Sequence, residues 1–393
     1  MRIAIVYDCL YPYTIGGAER WYASLAERLS ARHEVTYVTR RQWGRADRPA
    51  GPGGAQVVVV SGGRRLYTAG GRRAILSPLR FGWGVFWHLR RRRRDYDVVH
   101  TCGFPYFSLV AARAACAWGG PAVVTDWIEI WSPQYWREYL GRLRGGIGAV
   151  VQQLCIRLTE RAFVLSQLQA RRLLKEGYRG QPVVLSGIYA GPSVTTNGGL
   201  PVDDPLVVYV GRHIREKRAR VIPAAVALAR DRIPQLRATI FGDGPDHRRV
   251  LAEIERLGLA DRICCPGFVA WEEIDTTLQR ATCLLLPSQR EGYGLVVVEA
   301  AARGVPSIVV RAPDNAAIEL IVPGENGLVV DSAEPGVLAE AIAAVHAAGP
   351  ALRQRTRAWY EQNAGRLAID AALAQVEAVY AQVTAPAAGR QPV

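Results

Sequence analysis

Apolar positions recur along this chain in two alternating rhythms. Short runs of Val, Ile, Ala and Tyr alternate with longer segments whose apolar residues fall three and four apart. Ile3–Val6, Val35–Val38, Val57–Val60, Val98–Val99 and Ala122–Thr125 read as strands, and Ala18–Leu29 as an amphipathic helix. A second series follows at Leu206–Val210, Ala238–Phe241, Ile263–Cys265, Cys283–Leu286, Ser307–Val310 and Leu328–Val330. Strands at this spacing, separated by helices, predict an α/β protein with parallel, doubly wound, Rossmann-like sheets. Between the two series lies GIYAGPSVTTNGGLPVDDP, Gly187 to Pro205, rich in Gly, Pro, Ser, Thr and Asn, which is the natural linker. Two domains are therefore expected, over residues 1–190 and 203–360. From Ala351 the chain reads as helical to about Val383, then passes into a Pro/Ala/Gly tail.

A length of 393 residues suits two domains that each bury a core. Hydrophobic content of 49% with 21% charged residues marks a globular chain. It opens directly into MRIAIVYD, without a basic segment followed by a long apolar one, so no signal peptide is expected and the cytoplasm is the expected location. No uninterrupted apolar run reaches the roughly 18 residues of a spanning helix. Seven cysteines without C-x-x-C spacing argue for free thiols and against a metal site, with Cys264–Cys265 read as buried packing at a strand.

Charge divides the chain unevenly. Residues 1–196 hold 28 Lys+Arg against 12 Asp+Glu, a net +16, while residues 197–393 hold 21 against 23, a net −2. The basicity gathers in Arg64–Arg65, Arg72–Arg73 and the run Arg90 to Arg94, and eight of the ten tryptophans lie in the same half. Such a face suits solvent, an anionic membrane surface or, as the weakest of the three, nucleic acid.

The densest chemistry lies in LPSQREGYGLVVVEAAARGVPSIVV, Leu286 to Val310. A strand pattern runs into a glycine-containing turn and then a helical pattern, which sets bare backbone N–H groups of Gly292, Tyr293, Gly294 and Leu295 at the carboxyl end of a strand. Glu291 stands in the turn and Glu299 eight residues on, about two helical turns deeper, so both carboxylates can face one ligand. An anion cradle between two hydroxyl-reading acids suits a nucleotide diphospho-sugar. Arg212 and Lys217 follow a strand ending in Gly211 and could neutralise a diphosphate. The chain has 47 Arg and only two Lys, Lys175 and Lys217, which makes a lysine at this place notable. Gly242-Asp243-Gly244 lacks the third glycine of a dinucleotide fingerprint and reads as a turn near the nucleotide. Gly16–Gly17 follow the first strand and let backbone approach a ligand, with Glu19 placed to complement the next helix dipole. His100 ends a strand and is expected to face a cleft. Asp126 and Glu129 follow the next strand and could reach an acceptor.

The Glu-x7-Glu segment resembles the signature of the retaining glycosyltransferases of family 4, which have the two-domain GT-B fold. The likeness extends to GGAER (Gly16–Arg20), VVYVGRHIREK (Val207–Lys217), IFGDGP (Ile240–Pro245), PGFV (Pro266–Val269) and VPGENGLVV (Val322–Val330). It implies donor binding on the second domain, acceptor binding on the first, and a last helix, about 366–383, that returns to the first domain. It also implies that Arg212 and Lys217 stabilise the departing diphosphate, that Glu291 holds the donor sugar and Glu299 the ribose, and that Phe268 and Val269 lie by the base. Relatives often carry a cleft histidine where His100 stands, followed two residues later by a second; here that position is Cys102. Family members are explained by front-side attack, with no protein nucleophile. No Asp-x-Asp follows a strand at a cleft position, so neither a metal nor a cofactor is expected, only a nucleotide-sugar co-substrate. A sugar-nucleotide 2-epimerase on the same fold, or a basic membrane or nucleic-acid adaptor, are the alternatives.

Overall fold

Ile3, Ala4, Ile5 and Val6 are all closed to solvent, which explains why the first strand is a continuous apolar run: a central parallel strand is covered on both faces. The computed structural model describes residues 1–44, 46–47, 49–62, 76–117, 119–185, 187–191 and 204–385. Arg64, Arg65, Arg72, Arg73, Trp118 and most of the Gly187–Pro205 linker lie outside the described residues. The chain divides into two units, Met1–Ala190 with Ala368–Val393, and Gly191–Leu367.

In the first unit, strands β1 (Arg2–Val6), β2 (Glu34–Arg40), β3 (Gln56–Ser61), β4 (Val98–Cys102), β5 (Ala122–Trp127), β6 (Arg161–Val164) and β7 (Val183–Val184) form one sheet of order β3-β2-β1-β4-β5-β6-β7. Every neighbouring pair is parallel. The crossovers are α1 (Gly17–Ser30), α2 (Leu76–Arg92), α3 (Tyr106–Cys116), α4 (Pro133–Leu140), α5 (Arg142–Leu158) and α6 (Gln167–Lys175). Helix α1 buries Trp21, Tyr22, Leu25, Ala26 and Leu29, the spacing that puts one stripe against the sheet. Phe81, Val85, Leu109, Ala112, Trp127 and Ile156 belong to the core on the α2–α3–α5 side.

The second unit repeats the plan. Strands β8 (Leu206–Val210), β9 (Arg237–Phe241), β10 (Ile263–Gly267) and β11 (Cys283–Leu286) alternate with α7 (Ile222–Ala229), α8 (His247–Arg256) and α9 (Trp271–Gln279). Then come β12 (Arg290–Glu291), α10 (Leu295–Ala301), β13 (Ser307–Val310), β14 (Asp314–Asn315), β15 (Gly327–Val330) and α11 (Pro335–Leu367). The six-stranded sheet has the order β10-β9-β8-β11-β13-β15, and β12 pairs with β14 alone. Helix α11 starts well before the predicted Ala351 and is broken at Gly349 (φ 51°), just ahead of Pro350. By length and composition it could cross a membrane; its buried Leu338, Ile342, Val345 and Leu352 lie on a helix that packs against α7, α10 and β15.

The last helix, α12 (Ile369–Thr384), belongs to the first unit. It packs on α1 through buried Ile369, Leu373, Val376 and Tyr380. Arg28 meets Asp370 at 2.8 Å, and His33 meets Glu377 at 3.0 Å.

Candidate active site

Strand order reverses in the second sheet between β8 and β11, which lead to opposite sides of the sheet. In open parallel sheets the carboxyl ends of such a pair leave a crevice, and ligands bind there. The loop after β8 carries Gly211, exposed Arg212 and Lys217, and the segment after β11 carries Glu291. Lys217 Nζ lies 2.5 Å from Glu291 Oε2 and donates to the Arg290 carbonyl at 3.3 Å. A second tie joins the same loops, since Gln289 N–H donates to the Glu216 carbonyl at 2.8 Å.

Glu291 lies in strand β12, so the segment between β11 and α10 is more ordered than the simple turn expected. Its register with β14 pairs Arg290 with Asp314 and Glu291 with Asn315. Arg290 also bonds Asp314 at 2.8 Å through its side chain. Asn315 is fully buried; its amide donates to the Ser288 and Val310 carbonyls at 3.1 and 2.8 Å, and its oxygen accepts from Ala317 N–H at 3.0 Å. These residues hold the Glu291 segment. Sequence reasoning missed them, because Asp-Asn after a strand reads as ordinary loop polarity.

Gly292 and Tyr293 are buried, and Gly294 caps α10 in a left-handed conformation (φ 99°). A Cβ there would come within 2.6 Å of the Ala317 Cβ, so glycine is needed for both backbone and packing. Leu295 opens the helix and is half-buried. Glu299 is in the second turn, 1% exposed among Val297, Val298, Ala300 and Ala301. A carboxylate so placed is costly unless paired or bound.

The loop after β9 closes on the loop after β8. Gly242 has φ 113°, and a Cβ on it would sit 2.0 Å from the Gly211 carbonyl oxygen. Gly244 similarly abuts the His213 carbonyl. Gly211 N–H donates to the Phe241 carbonyl at 3.2 Å, and Tyr209 O–H donates to the Arg212 carbonyl at 3.1 Å. Phe268, just beyond β10, is 58% exposed and is not packed at the strand end; Val269 is half-buried.

In the first unit the order reverses between β1 and β4. Gly16 caps α1, and a Cβ there would meet Glu19 Oε2 at 2.3 Å; Gly17 is exposed with open space around it. Glu19 stands in the first turn of α1, where an acid complements the helix dipole, and its Oε1 accepts from Tyr7 O–H at 3.3 Å.

His100 and Asp126 depart from expectation. His100 lies mid-strand in β4, fully buried, stacked on Phe163 with Tyr22 and Tyr380 edge-on. Both ring nitrogens are taken: Nδ1 lies 2.5 Å from the Tyr380 hydroxyl of α12, and Nε2 lies 2.8 Å from Asp126 Oδ1. Asp126 Oδ2 accepts from Trp21 Nε1–H at 2.8 Å. Burial pushes the Tyr380 phenol well up, so it keeps its proton. His100 therefore faces the interior and not a cleft, and Asp126 (2% exposed) is its partner inside the same core. The sequence reading ended this strand at His100, whereas β4 runs on to Cys102 and sets His100 inside the sheet.

Two stretches of the chain match known families in sequence: residues 15–187 match the glycosyltransferase family 4 model, and residues 195–362 the glycosyl transferases group 1 model. The chain belongs to the family 4 glycosyltransferases and has the GT-B fold. It is 29% identical over 208 residues to a D-inositol 3-phosphate glycosyltransferase of Xylanimonas cellulosilytica, covering 52% of this chain and 48% of that one. It is 31% identical over 140 residues to the alpha-D-kanosaminyltransferase of Streptomyces kanamyceticus, covering 36% of each. The matched stretch spans half or less of these curated relatives. Among solved structures, sucrose-phosphate synthase from Thermosynechococcus elongatus superposes with a TM-score of 0.78 at 21% identity, over 98% of this chain and 99% of that one. Anabaena HepE, solved in complex with UDP, gives 0.74 at 20% identity over 97% and 100%.

Proposed function

We propose that this family 4 member transfers a sugar from a nucleotide diphosphate donor to an acceptor hydroxyl or amine, with retention at the anomeric carbon and with no metal or cofactor taking part in the transfer step. The observation that carries it is the Lys217–Glu291 pair, which puts a fixed cation and a carboxylate at the switch point of the second sheet. HepE, a fold neighbour, is solved with UDP, with UDP and glucose, and with UDP-glucose, which supports a nucleotide-sugar as the ligand class.

In this reading the bond from the anomeric carbon to the diphosphate oxygen breaks, and its electron pair leaves with the diphosphate. Arg212, Lys217 and the amides of Gly292–Gly294 receive that charge; each preorganised donor of this kind is worth about 3 kcal/mol. The acceptor oxygen or nitrogen attacks from the face the leaving group vacates, and its proton passes to the departing phosphate oxygen. No protein nucleophile is needed, so the paired-carboxylate scheme of glycosidases does not apply. Glu291 orients the sugar hydroxyls, Glu299 the ribose, and Phe268 and Val269 the base. The acceptor is assigned to the first unit, and the Gly16–Gly17 loop is read as meeting both the acceptor and the donor phosphate.

The first unit also supports docking on the inner, anionic face of a membrane from the cytoplasm. Leu76, Leu79, Trp83 and Trp87 stand exposed on α2 at helical spacing, and Leu143, Ile147, Val150 and Leu154 on α5. Trp83 is 66% and Leu143 80% exposed, and Arg90–Arg94 lie at and just beyond the α2 C-terminus. Apolar stripes beside arginines fit an interfacial surface.

The test is a thermal-shift screen of UDP-, GDP-, ADP- and TDP-sugars on the wild type and on Glu299→Ala. Selective stabilisation by one nucleotide, lost in the variant, is expected; stabilisation by none would overturn the reading. Donor incubated alone should yield at most slow hydrolysis, whereas an epimerised donor would identify an epimerase.

A further inference from the structure

Cys264 and Cys265 are not buried packing. Cys264 is exposed and Cys265 half-exposed, at a place where the β10–β9 register shifts between Cys264 and Gly267. Pro266 has no N–H to give the ladder, and a bulge of this kind re-aims a side chain. The Cys265 thiol consequently points toward two histidines. Its Sγ lies 3.8 Å from His247 Nδ1, and His247 Nδ1 lies 3.0 Å from His213 Nδ1. The three donor atoms all fall within 4.8 Å of one another.

Those separations match a metal polyhedron. With zinc–nitrogen and zinc–sulfur bonds of about 2.05 and 2.3 Å, a tetrahedral ion sets N···N at roughly 3.3 Å and N···S at roughly 3.6 Å. The ring planes of His213 and His247 lie 24° apart with centroids at 5.1 Å, so both Nδ1 atoms face the same small space. Asp243 Oδ1 lies nearby, 4.0 Å from His247 Nδ1, and accepts from Gly244 N–H at 2.6 Å.

We propose that His213, His247 and Cys265 form a zinc site that fastens together the loops after β8, β9 and β10. The donor set of two imidazoles and one thiolate selects zinc over magnesium or calcium. Cys265 would ligate as the thiolate. On binding, the S–H bond breaks, sulfur gives its electron pair to zinc, and one proton is released to solvent.

The backbone around the cluster is already tied. His213 N–H donates to the Asp243 carbonyl at 2.8 Å, and Asp246 N–H donates to the His213 carbonyl at 2.9 Å. His213 directly follows Arg212, and Cys265 lies three residues before Phe268. A metal here would stiffen the loops that carry those residues without touching the diphosphate. The site stands on its own donor atoms, and it would persist even if the nucleotide-sugar assignment failed.

The test uses untagged, chelator-treated full-length protein titrated with Zn²⁺ by calorimetry and with Co²⁺ by absorption. One equivalent should bind, release about one proton per site, raise the melting temperature and give a thiolate-to-cobalt charge-transfer band in the near ultraviolet. Cys265→Ser and His247→Gln should each abolish that band and weaken Zn²⁺ binding by at least about a hundredfold, beyond what outer partners of metal ligands alone cause. Cys264→Ser should bind as the wild type does, and it serves as the folded control. Binding below one equivalent, equal binding by Cys265→Ser, or equal loss in Cys264→Ser would each overturn the proposal.

Discussion

Lys217 Nζ sits 2.5 Å from Glu291 Oε2, with both side chains largely buried, and joins two loops that are 74 residues apart in the chain. The pair ties the two loops together and, in the proposed function, also serves the donor; the two roles separate by mutation. Lys217→Ala strands the Glu291 carboxylate and should cost about 2 kcal/mol in a urea titration. It should also lower kcat by about 10²- to 10³-fold. Adding Glu291→Gln should restore most of the stability and none of the turnover. Recovery of both would show that the lysine only holds the loops.

The His100–Asp126–Trp21–Tyr380 network predicts stability effects in place of catalytic ones. Asp126→Ala leaves the Trp21 N–H and a His100 nitrogen without their acceptor and should cost about 3 kcal/mol. Tyr380→Phe removes one hydrogen bond between α12 and β4 and should cost about 1 kcal/mol. Specific activity measured well below the melting temperature should be close to wild type for Tyr380→Phe. A large fall in kcat at unchanged denaturation midpoint would return His100 to the catalytic machinery.

Glycine substitutions should divide sharply. Gly242→Ala combines a left-handed φ with a Cβ 2.0 Å from a carbonyl oxygen, and should destabilise by at least about 2 kcal/mol. Gly17→Ala places its Cβ in open space at the first turn of α1 and should be neutral or up to about 1 kcal/mol stabilising. Thermal melts decide both. Because Gly17→Ala keeps the fold, any rise in its acceptor KM reports ligand approach at this loop.

The exposed stripes on α2 and α5 predict membrane partitioning. Trp83→Ser with Leu143→Ser and Ile147→Ser should reduce co-sedimentation with anionic vesicles by at least about tenfold, since each inserted apolar side chain contributes about 1.5–3 kcal/mol. Replacing Arg90–Arg94 with serine should remove most of the salt dependence of binding. Donor affinity should not change in either variant; a matching loss of donor binding would mean that the helices serve the fold.

Much of this protein was legible in one dimension. Strand positions such as Leu206–Val210 and Cys283–Leu286 show in the sequence because a strand covered on both faces must be apolar throughout, and that requirement is local. Gly294 and Glu299 stand out in the sequence because a glycine between a strand and a helical pattern, and an acid set among valines and alanines, leave marks within a few residues. What the sequence could not show was pairing at long range. Whether Lys217 meets Glu291, whether Asn315 braces Ser288, and whether the Cys265 thiol meets His247 depend on strand order and on a bulge at Pro266. His100 shows the same limit: the residue type and the strand were plain, but its direction was set by the sheet, α1 and α12 closing around it. Periodicity states which faces must be covered; only the packed chain decides what covers them.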